Sequence, residues 1–406
     1  MGYVSKDVPL VIMGGLWQKE YEGPDYGYDE IKGIEKDGDY EFLEFPSKTE
    51  LKFDAFLDGS MRLYWIGNVA KSGTPLFYAC VSVAVLYRGP NKMLKNTSYT
   101  RSINLLIFPF KTYEETFPVD FGHYLREFLR KLTGELRAFG QSVYTEEEVR
   151  DTIERGRTLE SVFGNRNVWI ICDTSFSGIT AQSGRRLITD RELGRYTEVK
   201  NKARARTRHY MRLLEFFALK AFKERNPNSL FMVDGLYPEK RHVQRPFAMS
   251  EEDYKEITNG VVGFIKKPMD LPLDDVKEIY EFWERLRPGK ALRWRGKLVK
   301  ESQEEENKLI EAFDFALMRF RHFPGLEITP AGVVKVQAQH ELDKEYFRQL
   351  LSAVYRERLP YVGTPRRSLN EPYPIEQAEV VAKSFFPSEE RIRGLLSRVI
   401  PQVPYL

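Results

Sequence analysis

Three carboxylates stand where burial alone would not put them. Asp58 closes the apolar run of FLDGS (Phe56–Ser60), and Asp234 closes that of FMVDGL (Phe231–Leu236). Each is followed by glycine. Glu215 sits within MRLLEFFALKAF, a helical stretch apolar on nearly every face. An ionised carboxylate buried without a partner is costly, so Glu215 must reach an edge, pair with Arg212 or Lys220, or bind a metal. Asp-Gly is also a favoured hairpin dipeptide, so each copy taken singly reads equally as a turn, with Gly59 and Ser60 doing the turning in the first. Asp173, in IICDTS, has a similar context but reads as a cap of a helix or turn. Two strand-end acids and one helical acid supply the hard oxygen ligands that Mg²⁺ or Mn²⁺ prefer. Two such ions about 3.5–4 Å apart can activate a water and stabilise a leaving oxygen in phosphodiester hydrolysis.

Positioning these acids needs strands that end together and a helix laid across them. Residues 1–50 are rich in Gly, Asp, Glu and Tyr with weak periodicity and read as an irregular lead-in. From Leu51 to Phe108, LKFDAFLD, MRLYWIG, LFYACVSVAVLYR and TRSINLLIF read as an antiparallel meander broken by GS, KSGTP and RGPNK. The 111–198 segment reads as a mainly helical insertion, from FGHYLREFLRKLTGELRAF and from YTEEEVRDTIERG, which opens as helix starts do. Within it NVWIICD is a short strand. A long helix over about Val199–Glu224 leads to the strand SLFMVD. NGVVGFIKK, ALRWRGKLVK and AGVVKVQAQ are further strands around the helix LDDVKEIYEFWERL, and three helices close the chain. Strands first, then alternating helix and strand, indicate an α/β fold with a mixed sheet flanked by helices, its core split between 51–110 and 199–406.

The 406 residues are 42% hydrophobic and 13% aromatic, enough for a substantial core. With 62 Lys and Arg against 59 Asp and Glu, the formal charge of +3 means that any nucleic-acid surface must be local. Cys80 and Cys172 each lie in an apolar run and read as buried thiols, against a disulfide framework or a zinc site. No stretch reaches the length of a membrane span and no targeting segment stands at the start, so a cytoplasmic protein with no membrane partner is expected.

FLDGS, the Glu215 helix running after a short loop into LFMVDGL, the strand GVVGFIKK and the late PYPIEQAEVVAKS together resemble the NurA nucleases. The resemblance spans roughly Leu51–Leu86 and Lys200–Pro387. It implies a ribonuclease H-like core, with Mn²⁺ (or Mg²⁺) as cofactor, two ions expected. It further implies processing of DNA ends, a homodimer, and work alongside a HerA-type hexameric ATPase. Position by position, it makes Asp58 the first-motif aspartate, Glu215 the helical glutamate and Asp234 the DG aspartate. At the fourth position the pattern breaks: Glu379 stands where the family has histidine, and Glu371 where it has an upstream tyrosine. Glutamate also ligates Mg²⁺ and Mn²⁺, so the expected set is Asp58, Glu215, Asp234 and Glu379. His340, in VQAQHELD, is an alternative fourth ligand.

Two basic stretches suit phosphate. KNKARARTRHYMR carries Lys200, Lys202, Arg204, Arg206, Arg208 and Arg212 towards Glu215; RLRPGKALRWRGKLVK mixes Arg293 and Arg295 with Trp294, able to stack a base. The expected nucleic-acid contacts are Arg204, Arg208, Arg212, Lys266, Arg293, Trp294 and Arg295. Paired surface charges for the first stretch, and a half-buried strand with Trp294 in the core for the second, are the alternatives. The leading expectation is a metal-dependent DNA nuclease. A catalytically inactive NurA-like subunit that binds DNA or regulates an ATPase stands second, and an RNA-directed enzyme on the same core third.

Overall fold

The computed structural model describes residues 10–13, 18–22, 34–69, 73–116, 119–155, 157–176, 188–266, 276–300, 308–327, 329–339, 342–359, 370–398 and 402–403. The first half of the chain supplies strands β1 (Leu10–Met13), β2 (Gln18–Glu22), β3 (Ile34–Glu44), β4 (Ala55–Val69), β5 (Pro75–Arg88), β6 (Leu94–Asn96) and β7 (Arg101–Phe108). Helices α1 (Phe110–Thr116) and α2 (Val119–Ala138) follow, then β8 (Ser142–Thr145), α3 (Glu146–Glu154), α4 (Glu160–Phe163) and β9 (Val168–Asp173). The second half runs through α5 (Tyr196–Lys223), β10 (Phe231–Asp234), α6 (Lys240–Val243), α7 (Glu251–Thr258), β11 (Val261–Ile265) and α8 (Val276–Arg285). It ends with β12 (Lys290–Lys300), β13 (Lys308–Arg319), β14 (Val333–Gln339), α9 (Lys344–Arg356), α10 (Tyr373–Ser384), α11 (Glu389–Leu396) and β15 (Gln402–Val403).

All the described strands join one mixed sheet, an α/β arrangement in which helices cover both faces. Its continuous path is β3-β12-β13-β14-β11-β10-β4-β5-β7-β9-β8. At the centre β4 pairs antiparallel with β5, and β5 with β7, while β10 lies parallel to both β4 and β11. Alternation sorts the side chains. Leu57 and Val233 enter the core beneath α5, with Leu213, Leu214 and Phe217. Phe56, Met232 and Phe264 enter the opposite core, with Phe347 and Leu351 of α9 and Ile375 of α10.

Helix α5 spans 28 residues because Val199, Ala203, Tyr210, Leu213, Leu214 and Phe217 recur on one buried stripe. At its last residue, the Lys223 ammonium donates to the carbonyls of Pro227, Ser229 and Asn259 at 2.7, 2.9 and 2.7 Å, closing the turn into β10. A buried ion pair, Arg206 to Glu146 at 3.2 Å, ties the middle of α5 to the start of α3. Asp173 is a cap: its carboxylate accepts from the amides of Ser175 and Lys111 at 2.9 and 3.2 Å. Thr145 and Glu148 form the capping box that YTEE promises. Cys80 and Cys172 are free and buried.

Two expectations need correction, and two strands are added to those expected. FLDGS does not end a strand: β4 runs straight through it, Asp58, Gly59 and Ser60 facing Ala84, Val83 and Ser82 of β5. Residues 1–50 are not simply an irregular lead-in, since β1 and β2 pair with β4 and β3 pairs with β12. The 111–198 segment carries, besides its helices and the expected strand NVWIICD (β9), the unassigned strand β8, and both extend the sheet in parallel from β7. KLIEAFDFALMR, unassigned from sequence, is β13, joining β12 to β14. Among the described residues no helix is long and apolar enough to cross a membrane.

Candidate metal centre

Parallel pairing sets the first two acids side by side. Register matches Phe231 to Ala55 and Val233 to Leu57, so Asp234 and Asp58 come next at the end of the β4–β10 ladder. Both lie on the face that carries α10, two residues beyond the buried Met232 and Phe56. Lys266 lies on the same face two residues beyond Phe264, which the register sets beside Asp234. The chain leaves Asp234 through Gly235, whose φ of 81° is open to glycine at little cost. The loop then folds so tightly onto β11 that a Cβ on Gly263 would lie 2.5 Å from the Tyr237 nitrogen.

Glu371 and Glu379 descend onto this row from α10 and the segment before it. Asn370 donates to the carbonyls of Lys266 and Val333 at 3.1 and 3.0 Å, pinning the approach to Glu371. Ser82 of β5 donates to the Ala382 carbonyl at 2.5 Å, seating α10 over the sheet. Oxygens of Asp58, Glu371 and Glu379 thereby fall within 4.8 Å of one another. Two oxygens on one divalent ion, each at about 2.0–2.6 Å from it, lie at most about 4–5 Å apart, so this set fits one Mg²⁺ or Mn²⁺. Asp234 instead pairs with Lys266 at 2.8 Å, and the same ammonium reaches Glu371 at 2.5 Å. Lys383 pairs with Glu379 at 2.6 Å one turn along α10.

Charge crowding marks the cluster. Burial, then repulsion from Asp234, Glu379 and Glu371, holds the Asp58 carboxyl well above the usual carboxylate range, with Lys266 opposing. Burial works against the charge on Lys266, but Asp234, Glu371 and Asp58 hold it charged well above the ordinary lysine range.

Glu215 arrives from the other face. It belongs to α5 and lies against β4 at Gly59, where a Cβ would stand 2.2 Å from a Glu215 carboxylate oxygen. Gly59 is therefore a site of close approach and not a turn. The rim pairing with Lys220 does not occur, since that lysine binds Glu160 and Glu224. Glu215, Asp58, Asp234, Lys266 and Glu379 line one cleft, with Arg208 and Arg212 on its α5 side. Between Leu57 and Arg62 no described strand pairs with β4 on this edge, because β10 has ended and β2 has not begun. The cleft opens in that notch.

Of the expected ligands, the structure brings Asp58 and Glu379 into the tight oxygen set, pairs Asp234 with a lysine beside it, and lines the cleft with Glu215. It adds Glu371, which the sequence singled out only as a tyrosine replacement. Of the expected phosphate contacts, Arg208 and Arg212 face the cleft, while Arg204 stands one turn earlier on α5. Lys266 is enclosed among carboxylates and is not a surface lysine. Arg206 is spent on Glu146. Arg293 and Trp294 are corrected to core positions: Arg293 is 6% exposed and bound to Asp314 at 3.0 Å, and Trp294, 8% exposed, stacks on Phe315. Arg295 remains half exposed on β12, three strands from β11. His340 lies outside the described residues.

A scan against protein-family models gives no match to this chain, and a search of curated proteins gives none.

Proposed function

We propose that this protein is a metal-dependent nuclease built on a ribonuclease H-like core, similar to the NurA enzymes, that hydrolyses phosphodiesters in DNA. The observation that carries the reading is the convergence of four carboxylates, Asp58, Glu215, Asp234 and Glu379, from β4, α5, β10 and α10, on one cleft edged by Arg208 and Arg212, with Glu371 beside Asp58 and Glu379. Strand order supports it too. The segment β7-β5-β4-β10-β11, with its first three strands antiparallel and its last three parallel, has the meander-then-crossover arrangement of that core, α5 forming the crossover.

In this reading Asp58, Glu371 and Glu379 hold the divalent ion. Bound there, Mn²⁺ or Mg²⁺ would polarise a phosphate oxygen and lower the pKa of an attacking water. The chain's own groups do the rest. Arg208 and Arg212 draw the substrate backbone to the cleft by neutralising phosphates. Glu215, close against Gly59, sets an acceptor on the α5 side of the cleft, where it can orient a water. Action at DNA ends, a homodimeric state, a cytoplasmic setting and a HerA-type ATPase partner belong to the same proposal and rest on the sequence resemblance.

Cleavage of end-labelled linear DNA in Mn²⁺ tests the assignment. Asp58→Asn is expected to lower the rate at least about 100-fold, as loss of a directly acting acid does. Full cleavage by the variant, or equal cleavage of matched RNA, would overturn it. A folded wild-type chain that binds DNA in Mn²⁺ without cutting it would instead favour a regulatory subunit.

A further inference from the structure

Resting on the metal-centre reading, the geometry points to a centre that takes one divalent ion, with the Lys266 ammonium standing as the second cation. Lys266 Nζ lies 2.8 Å from Asp234 and 2.5 Å from Glu371, and its side chain is 11% exposed. It therefore bridges the acid left outside the oxygen set to one inside it. The set itself, Asp58, Glu371 and Glu379, has the span of a single ion. A second ion using Asp234 would have to displace the ammonium from that carboxylate and stand beside it in a buried site, which is unfavourable.

Among the described residues, two lysines, Lys266 and Lys383, pair with the row of Asp58, Asp234, Glu371 and Glu379. Lys266 is also locked in place. It follows β11 immediately, and its carbonyl accepts from Asn370, the residue that fixes the approach to Glu371. Its position is thus part of the same construction that places the acids. A lysine fixed beside the reacting phosphate can offset developing negative charge, as a positioned cation does at other phosphoryl centres.

Counting ions separates this inference from the reading on which it rests. Mn²⁺ titration of the full-length chain, followed by electron paramagnetic resonance and calorimetry without nucleic acid, is expected to give one ion per chain. Lys266→Arg, which keeps the charge, should stay at one. Lys266→Met, which frees Asp234 and Glu371, should rise to two, with a melting temperature that Mn²⁺ raises more than in the wild type. Two ions on the wild-type protein would overturn the inference and leave the nuclease reading standing. Two ions on Lys266→Arg, or one on a folded Lys266→Met, would also overturn the inference. No ion on the wild type would overturn both. If Lys266→Met does not fold, the wild-type and Lys266→Arg counts still decide.

Discussion

Gly59 shows how much of the centre depends on a missing side chain. Its neighbour Asp58 is on the α10 face, while Glu215 arrives from the α5 face, and only a bare Cα lets that carboxylate lie so close against the strand. Gly59→Ala is therefore expected to cost about 1–3 kcal/mol by overpacking. Glu215→Ala in the same chain should recover most of that loss. Chemical denaturation of the two single variants and the double variant reads the coupling, expected to exceed about 1 kcal/mol; additive losses would place the strain elsewhere. Asp58 and Asp234 were legible because an acid at the close of an apolar run is conspicuous. The role of Gly59 was not, since Asp-Gly is a local turn signal and only the distant partner β5 carries the strand through it. Glu371 was harder still. It is held by Asn370 reaching to residues 104 and 37 positions away in the chain.

Between elements, Glu311 of β13 is the clearest tie. It accepts a hydrogen bond from the Lys240 amide at the start of α6, at 2.9 Å, and another from the Tyr254 hydroxyl of α7. Burial pushes its carboxyl up to about 7, the Tyr254 and Lys240 bonds opposing. Because the folded state holds this proton more tightly than the unfolded chain, the contribution is complete below about pH 4.5 and is lost as pH rises through about 7. Thermal melts of wild type and Glu311→Gln across that window should show the wild type losing roughly 2–3 kcal/mol relative to the variant. Parallel pH profiles would refute the assignment. Helix α3 was readable from sequence by its capping box and α5 by its apolar stripe. Strands β1, β2 and β3 were not, because their alternation is weak and their registers are set by β4 and by β12, the latter about 250 residues downstream of β3.

At the scale of the whole molecule, the balanced charge of +3 leaves any nucleic-acid affinity to a few local cations. Binding of single-stranded DNA to Arg208→Ala/Arg212→Ala, measured in EDTA over a range of salt, should show a log–log slope shallower by roughly 1.4, about 0.7 for each lost contact. Arg293→Ala and Trp294→Ala should lower stability and leave the slope unchanged, since both are core residues. An unaltered slope in the first variant would remove the α5 wall from the interface. The notch in β4 has one more consequence. A strand without a neighbour usually invites another chain to pair with it and so to aggregate, but this open edge is enclosed between β10 and β2, within the sheet's own breadth. No flat partner strand can slide along it, while its unpaired backbone groups still require hydrogen bonds. Among the described residues no strand supplies them, so water can. In the proposed hydrolase, water held there would stand beside Asp58.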